Sequence, residues 1–506
     1  MNKSGKAVMS KSGKLLGKSA SVDHPVVQKK IEKSLKLSIE EGSLASAATG
    51  LDISYFSPYA LAMNATSSEV GVLYAVLNLV PALVQLTGPK IVSKFSRKKI
   101  VLTAVFVKLI LLLPIILTGV LFFIGVPHMV WVFIGLVGLF YACIALGQPA
   151  WFSWMGSLVS PESRGRYFSK RNRIAGFFGL LAMILGAVIL DGFKKIGGFR
   201  GQVLGFTLVG FGVLFVISIV ARSGCFAILA HQYEPRLKVR KRDYFSFWQF
   251  LKRARETPFG RFVLFRGFFS VAIGIAAPFW AVYMLRDLGF SYVWFMAITV
   301  SGTLFQLVFL PLLGKATDKF GNVKIMSICS GLAFIIPLAW IASSLIPNNI
   351  FLKLYLLFVP HIFSGFVWAG YNLSTNNYVY DAVKSQKRGI GLSYMNLIVG
   401  VGAFAGAGIG SLIALWNFSF MNTLLFIFLV SAFARFVVAS AGLRYLREVR
   451  HVSRFQNDYF IREFAPMRGA VREFHNLEHM VDKVEHYIKP GEGFIRENSL
   501  PVNRVS

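Results

Sequence analysis

The chain has 506 residues, 55% of them hydrophobic, and a mean hydropathy of +0.59, which excludes an ordinary water-soluble domain. A formal net charge of +31 would point a soluble protein toward nucleic acid, but here the basic residues are gathered between long apolar runs, and that reading fails. The three cysteines, Cys143, Cys225 and Cys329, fall inside those runs without metal-ligand spacing, so no disulfide and no metal site is expected.

Residues 1–22 are rich in Lys, Ser and Gly and read as a disordered basic tail without the apolar centre of a secretory signal. From Pro25 onward, Val27, Ile31, Leu35 and Ile39 recur at helical spacing, predicting an amphipathic lead-in helix. Windows of roughly 20 apolar residues, enough to cross ~30 Å of hydrocarbon, then follow. Twelve are predicted, near 43–63, 69–91, 100–124, 129–153, 169–190, 203–228, 262–285, 291–313, 325–346, 354–379, 390–413 and 419–441. Each should be a helix, because lipid offers backbone groups no partners. With both termini placed inside, the N-terminal tail and the inner loops before the C-terminal tail hold 34 Lys and Arg. The outer loops hold 5 (Lys194, Lys195, Arg200, Arg286 and Lys353). This asymmetry follows the positive-inside rule.

The chain also repeats itself. Arg164-Gly165, Ser169, Asn172, Ile174 and Gly176 return 224 positions later as Arg388-Gly389, Ser393, Asn396, Ile398 and Gly400. Lys94-Phe95 and Lys99-Ile100 return 225 positions later as Lys319-Phe320 and Lys324-Ile325. Two echoes at nearly one offset predict two equivalent six-helix halves, at 43–230 and 262–441. A basic tail and lead-in precede them (1–42), a linker divides them (231–261), and a second tail follows (442–506). The linker combines Phe245, Phe247, Trp248, Phe250 and Leu251 with Lys252, Arg253 and Arg255, which predicts a short interfacial helix with lipid-facing aromatics.

The loop after span 8 reads Gly314-Lys315-Ala316-Thr317-Asp318-Lys319-Phe320-Gly321, which resembles the G-x-x-x-D-[RK]-x-G signature of the major facilitator superfamily. The resemblance covers residues 40–445 and implies an all-α fold of twelve membrane helices in two pseudo-symmetric halves. It further implies that spans 1, 4, 7 and 10 line a central cavity and that Gly314, Asp318, Lys319, Gly321, Arg164 and Arg388 belong to a cytoplasmic gate. The first-half loop departs from the signature: Ser93 stands at the Asp position and Ser96 at the second Gly.

Asp52 is the single deep carboxylate of the twelve spans, about nine residues into span 1, or ~13 Å at 1.5 Å per residue. A charge there costs at least ~2.5 kcal/mol. Two readings stay open: a packing hydrogen bond, or a proton-coupling group whose pKa burial raises. Tyr55, Tyr59, Gln148, Arg266, Trp280, Trp368, Tyr371, Asn372 and Asn376 are the candidate cavity residues. Those on span 10 share one face with Gly365, Thr375 and Val379, Tyr371 lying beside it. Arg222 and Arg435 are expected to snorkel to the inner surface, and Trp154 to belong to an interfacial belt.

In the C-terminal tail His475-Asn476-Leu477-Glu478-His479 matches the H-x-x-E-H of inverted zinc proteases, but a catalytic zinc needs a third ligand and a shielded pocket. No enzyme activity and no cofactor are expected. The expectation is a secondary transporter moving a small organic solute by alternating access, coupled to protons, in the plasma membrane. The alternative is a receptor or scaffold using the same fold. Anionic membrane lipids are expected partners, nucleic acid is not, and the chain is expected to be monomeric. Aromatics beside amides suit a neutral, sugar-like or drug-like solute, and few buried cations are expected.

Overall fold

A computed structural model describes residues 25–86, 95–159, 164–235, 247–383, 388–416, 418–419, 421–449 and 452. The N-terminal tail, the first-half signature loop at 88–94 and the amphipathic helix with the His475 motif lie outside these. The helices are α1 (Pro25–Leu51), α2 (Phe56–Ala62), α3 (Ser67–Gln85), α4 (Arg97–Phe123), α5 (Met129–Leu158), α6 (Arg164–Phe199), α7 (Val203–His231) and α8 (Phe247–Lys252). They continue as α9 (Pro258–Ala276), α10 (Phe279–Val282), α11 (Tyr292–Phe320), α12 (Asn322–Leu332), α13 (Ile335–Ala342), α14 (Ile350–Ala382), α15 (Arg388–Ile413) and α16 (Thr423–Gly442).

Among the described residues eleven helices, some of them joined from consecutive segments, are long and apolar enough to cross a membrane. The predicted span 1 is not among them because it is not one helix. The lead-in and the first half of the span form α1 without interruption, a helical turn over Ile53–Tyr55 follows, and α2 completes the crossing. The lead-in helix is present from Pro25 on, and Ile31 and Leu35 pack against a cluster that includes Trp154, Leu158 and Leu229. Outward-facing rows of apolar side chains such as Phe106, Ile110, Leu113 and Leu117 on α4 are exposed, as a lipid-facing surface requires.

The packing repeats between halves. The contact of α1 with α6 has its counterpart in α9 with α15, that of α3 with α5 in α11 with α14, and that of α4 with α7 in α12 and α13 with α16. Across the halves α3 packs along α15 and α6 meets α11, again an equivalent pair. The α9–α15 seam is built on glycine. A Cβ at Gly402, Gly406 or Gly410 would strike the carbonyl oxygens of Gly267, Val271 or Ile275, so only glycine admits this approach.

Breaks repeat too. α1 ends at Leu51 and α9 at Ala276, 225 positions apart. Asp52 makes the first break by capping the next turn, its side chain accepting from the Ile53 N–H at 2.5 Å. Pro278 makes the second, since it has no N–H to continue the ladder. Between α12 and α13 the chain turns because Pro337 leaves the Ala333 carbonyl without its usual donor, and Arg435 Nη1 donates to that oxygen at 3.2 Å.

Candidate functional site

The polar centre of the N-terminal half is built on the α1 break. Asp52 is wholly buried. Its Oδ2 accepts from the Ser218 hydroxyl and Arg222 Nε, both at 2.7 Å, and lies 2.6 Å from Arg222 Nη2. Arg222 therefore does not snorkel: its guanidinium stays buried, 5.1 Å from the Phe140 ring centroid. Arg435 does not snorkel either, being buried against Ala333. Both keep a buried acceptor, which outweighs the reach of their stems toward water.

Closer to the end of the molecule that the charge asymmetry assigns to the inside, Arg171 Nη2 meets Glu41 Oε2 at 3.1 Å. Arg171 Nε donates to the Ser38 carbonyl at 3.0 Å, and the guanidinium lies 4.3 Å from the Trp151 ring centroid. Above this pair a cavity of about 310 Å³ opens between α1, α4 and α5, lined by Glu41, Lys108, Gln148, Trp151 and Arg171 among others. The Lys108 ammonium has no hydrogen bond or ion pair among the described residues and lies 5.9 Å from the Phe140 centroid. A larger groove of about 620 Å³ between α4 and α7 is apolar apart from Gln202 and carries no charge.

Gln148 is thus in the cavity wall, whereas Tyr55 and Tyr59 are not. They are buried in the core with their hydroxyls donating to the carbonyls of Met183 (2.5 Å) and of Ile115 and Ile116 (3.2 and 3.3 Å). Trp280 stacks on Phe428 with centroids 4.0 Å apart and also lies against Trp340, inside the C-terminal half. Trp368 meets Tyr371 edge-on, and Tyr371 is buried beside Phe269. Asn372 and Asn376 are exposed. Together with Trp368 they sit 225 positions after Gly147, Trp151 and Cys143, all three of which line the cavity. Arg266 lies between α9, α14 and α15: Nη1 is 3.3 Å from the Met395 sulfur, and the guanidinium is 5.9 Å from the Tyr371 centroid. Its Nε is buried without a partner.

In the signature loop Gly321 has φ +89°, joining α11 to α12 through a corner that favours glycine. Asp318 and Lys319 are exposed, and Gly314 lies near Leu373. The side chains of Arg164 and Arg388, at the starts of α6 and α15, fall outside the described residues. The structure adds a device the sequence reading missed. Just past α7, Glu234 accepts from the Arg97 N–H that opens α4 (2.9 Å), and Trp154 Nε1 donates to the Tyr233 carbonyl (2.9 Å). Just past α16, Glu448 accepts from the Val323 N–H that opens α12 (2.8 Å), and the Tyr378 hydroxyl donates to the Arg447 carbonyl (3.0 Å). Each half is strapped at the same corner by a carboxylate on a helix N-terminus, a favourable charge arrangement. Trp154 is wholly buried in this strap and forms no interfacial belt. Phe250 likewise faces inward, on Phe259 and Tyr394, while its neighbour Trp248 is exposed.

Among the described residues, cross-half contacts other than the α3–α15 pair gather at the opposite end. Arg286 donates to the Ala65 carbonyl, and Asp191 accepts from the N–H groups of Tyr292 (2.9 Å) and Val293 (3.0 Å). Toward the inner end the pair α3–α15 continues, with Asn396 Nδ2 donating to Gln85 Oε1 at 2.9 Å. The other echoed asparagine, Asn172, is exposed.

Fold and site define a polytopic helical membrane protein of two equivalent halves, with a charged cavity in the N-terminal one. The model of the Major Facilitator Superfamily matches residues 262–462, and the solved structures below carry the same fold over both halves. No curated protein matches it by sequence. A bacterial homologue of the iron transporter ferroportin, in its inward-facing state, superposes with a TM-score of 0.61 at 14% identity, covering 82% of this chain and 98% of that one. A D-xylose-proton symporter gives 0.59 at 13% identity, covering 85% and 100%. The nucleoside transporter NupG gives 0.57 at 14% identity, covering 81% and 98%. The chain resembles transporters of this superfamily rather than an enzyme.

Proposed function

We propose that the chain is a secondary active transporter that moves a small organic solute by alternating access, and that the conformation described is the inward-facing one. The observation that carries this reading is the placement of the cross-half contacts. Among the described residues, and apart from the continuous α3–α15 pair, they lie at the end proposed to be outer, around Arg286 with Ala65 and Asp191 with the start of α11. The cavity with Glu41, Lys108 and Gln148 lies toward the other end. In the proposed orientation both termini are cytoplasmic and the membrane is the plasma membrane, on the strength of the basic inner loops.

A direct test uses a background without Cys143, Cys225 and Cys329, carrying Ser67→Cys and Arg286→Cys. Oxidative cross-linking of that pair in proteoliposomes should stop flux, and a reductant should restore it. Solute binding without flux in the uncross-linked protein would instead support the receptor or scaffold reading.

Proton coupling through Asp52 belongs to the same proposal, with one structural condition. Asp52 is ion-paired with Arg222 in this conformation, so the bridge must open during the cycle for a proton to be taken up. Asp52→Asn should abolish uptake driven by a pH gradient while solute exchange persists. Accumulation by that variant with only pH as the driving force would leave Asp52 a purely structural group.

A further inference from the structure

The charge within the two halves does not balance, and the imbalance has a direction. In the N-terminal half the charged groups acting on one another around the cavity are Glu41, Asp52, Lys108, Arg171 and Arg222. Both acids are spoken for, Glu41 by Arg171 and Asp52 by Arg222, which leaves Lys108 in excess. The equivalent positions of the C-terminal half can be read from matching contacts. Arg266 and Met395 touch as Glu41 and Arg171 do. Ser431 donates to the Ala272 carbonyl as Ser218 does to that of Ala48, which aligns Arg435 with Arg222. Asp52 and Lys108 then correspond to Ala277 and Ala333. The second set therefore holds two arginines and no acid.

Of the three excess cations, Arg435 has a structural task at the Ala333 carbonyl. The other two do not. Lys108 lies eleven residues beyond Arg97, or about 16 Å along α4 at 1.5 Å per residue, too deep for its stem to carry the charge to the inner surface. It lines the cavity. Arg266 is held by two neutral neighbours, a thioether and a phenol ring, with Nε buried and unpartnered. It occupies the position equivalent to Glu41, which lines the cavity. A cation kept within the membrane without a counter-charge is costly, and the usual resolution is a partner that arrives.

We propose that the solute carries one compact anionic group, carboxylate or phosphate, which Lys108 and Arg266 receive from opposite halves. This rests on the transporter reading and reverses the neutral solute expected from composition. Arginine offers paired donors that match either oxyanion, and lysine supplies a point charge. Anchoring one group from both halves also links occupancy to their approach. The aromatic and amide groups nearby (Trp151, Gln148 and Tyr371) are left to read the rest of the molecule.

The test is thermal stabilisation of purified full-length protein by matched pairs: benzoate and benzamide, succinate and succinamide, glycerol phosphate and glycerol. At least one anion should stabilise the wild type in a saturable way while its neutral counterpart does not, and whether carboxylates or the phosphate ester act distinguishes the two sources. Lys108→Gln or Arg266→Gln should weaken the apparent affinity at least tenfold, whereas Lys108→Arg should retain it, which separates lost charge from lost fold. Equal stabilisation by neutral partners, no anion-dependent shift across the panel, or an unchanged response in the Lys108→Gln/Arg266→Gln double variant overturns the proposal. Saturable anion binding without flux in proteoliposomes would sink the transporter reading and leave the anion site; flux of neutral solutes alone would do the reverse.

Discussion

The two halves share a helix plan but solve its internal electrostatics differently. The N-terminal half places a carboxylate at the helix break and an arginine opposite, so Asp52 caps a turn, bonds Ser218 and neutralises Arg222 at once. The C-terminal half makes the equivalent break with Pro278 and needs no acid there, and its Arg435 is met by a carbonyl that Pro337 has freed. A break can thus be supplied by a cap or by a proline, but only the cap brings a charge. The half that uses proline is the one left more positive, and also the one in which the superfamily's sequence model finds its match.

The comparison breaks most visibly at Asp52. Asp52→Ala strands Arg222 as a buried unpaired charge, and should cost about 3–5 kcal/mol in denaturant unfolding of the detergent-solubilised protein. The double variant Asp52→Ala/Arg222→Met removes both charges and should recover most of that loss. Next in size, Met395→Glu would make the second half resemble the first by giving Arg266 a carboxylate. It should stabilise by about 1.5–3 kcal/mol, as a hydrogen bond to a charged group does, and abolish anion-dependent stabilisation. At the strapped corner Gly321→Ala forces a Cβ into left-handed backbone and against the Glu448 carboxylate. Roughly 1–2 kcal/mol should be lost there, read as a lower unfolding midpoint. The smallest expected effect is at the matching corner of the first half, where the hydroxyl of Ser96 accepts from the Lys99 N–H at 3.2 Å. Ser96→Ala should cost about 1 kcal/mol in the same measurement.

Much of this plan was legible in the residues. The two offsets of 224 and 225 identified equivalent helices, and they relate Arg266 to Glu41 before any contact is known. Asp52 stood out by depth and Gln148 by its place on span 4. What stayed hidden depended on register or on partners. The straps involve a tryptophan in one half and a tyrosine in the other, and their glutamates are 214 positions apart rather than 225. The slip arises because α6 has 36 residues and α15 only 26, so a search at one offset loses the correspondence after the fifth span. Tyr55 and Tyr59 follow Asp52 on span 1 and read from sequence equally as cavity lining or as packing, because a phenol on a tightly packed helix is as well served by a backbone carbonyl. Lys108 could not be ranked until the partners of both acids were known, because an unmatched charge is a property of the whole set.

The extra length of α6 has a mechanical meaning. At 1.5 Å per residue its 36 residues span about 54 Å, well beyond the ~30 Å of hydrocarbon, and its far end reaches across to the opposite half. There Asp191 takes both N–H groups that begin α11, while α15, the symmetric helix, is too short to return the gesture. On the proposed alternating-access reading, parting the halves at this end must tear an anion from a helix terminus. Because this catch is a surface electrostatic contact, added salt should loosen it, so the resting tilt of the molecule becomes sensitive to the ionic strength of the outer medium.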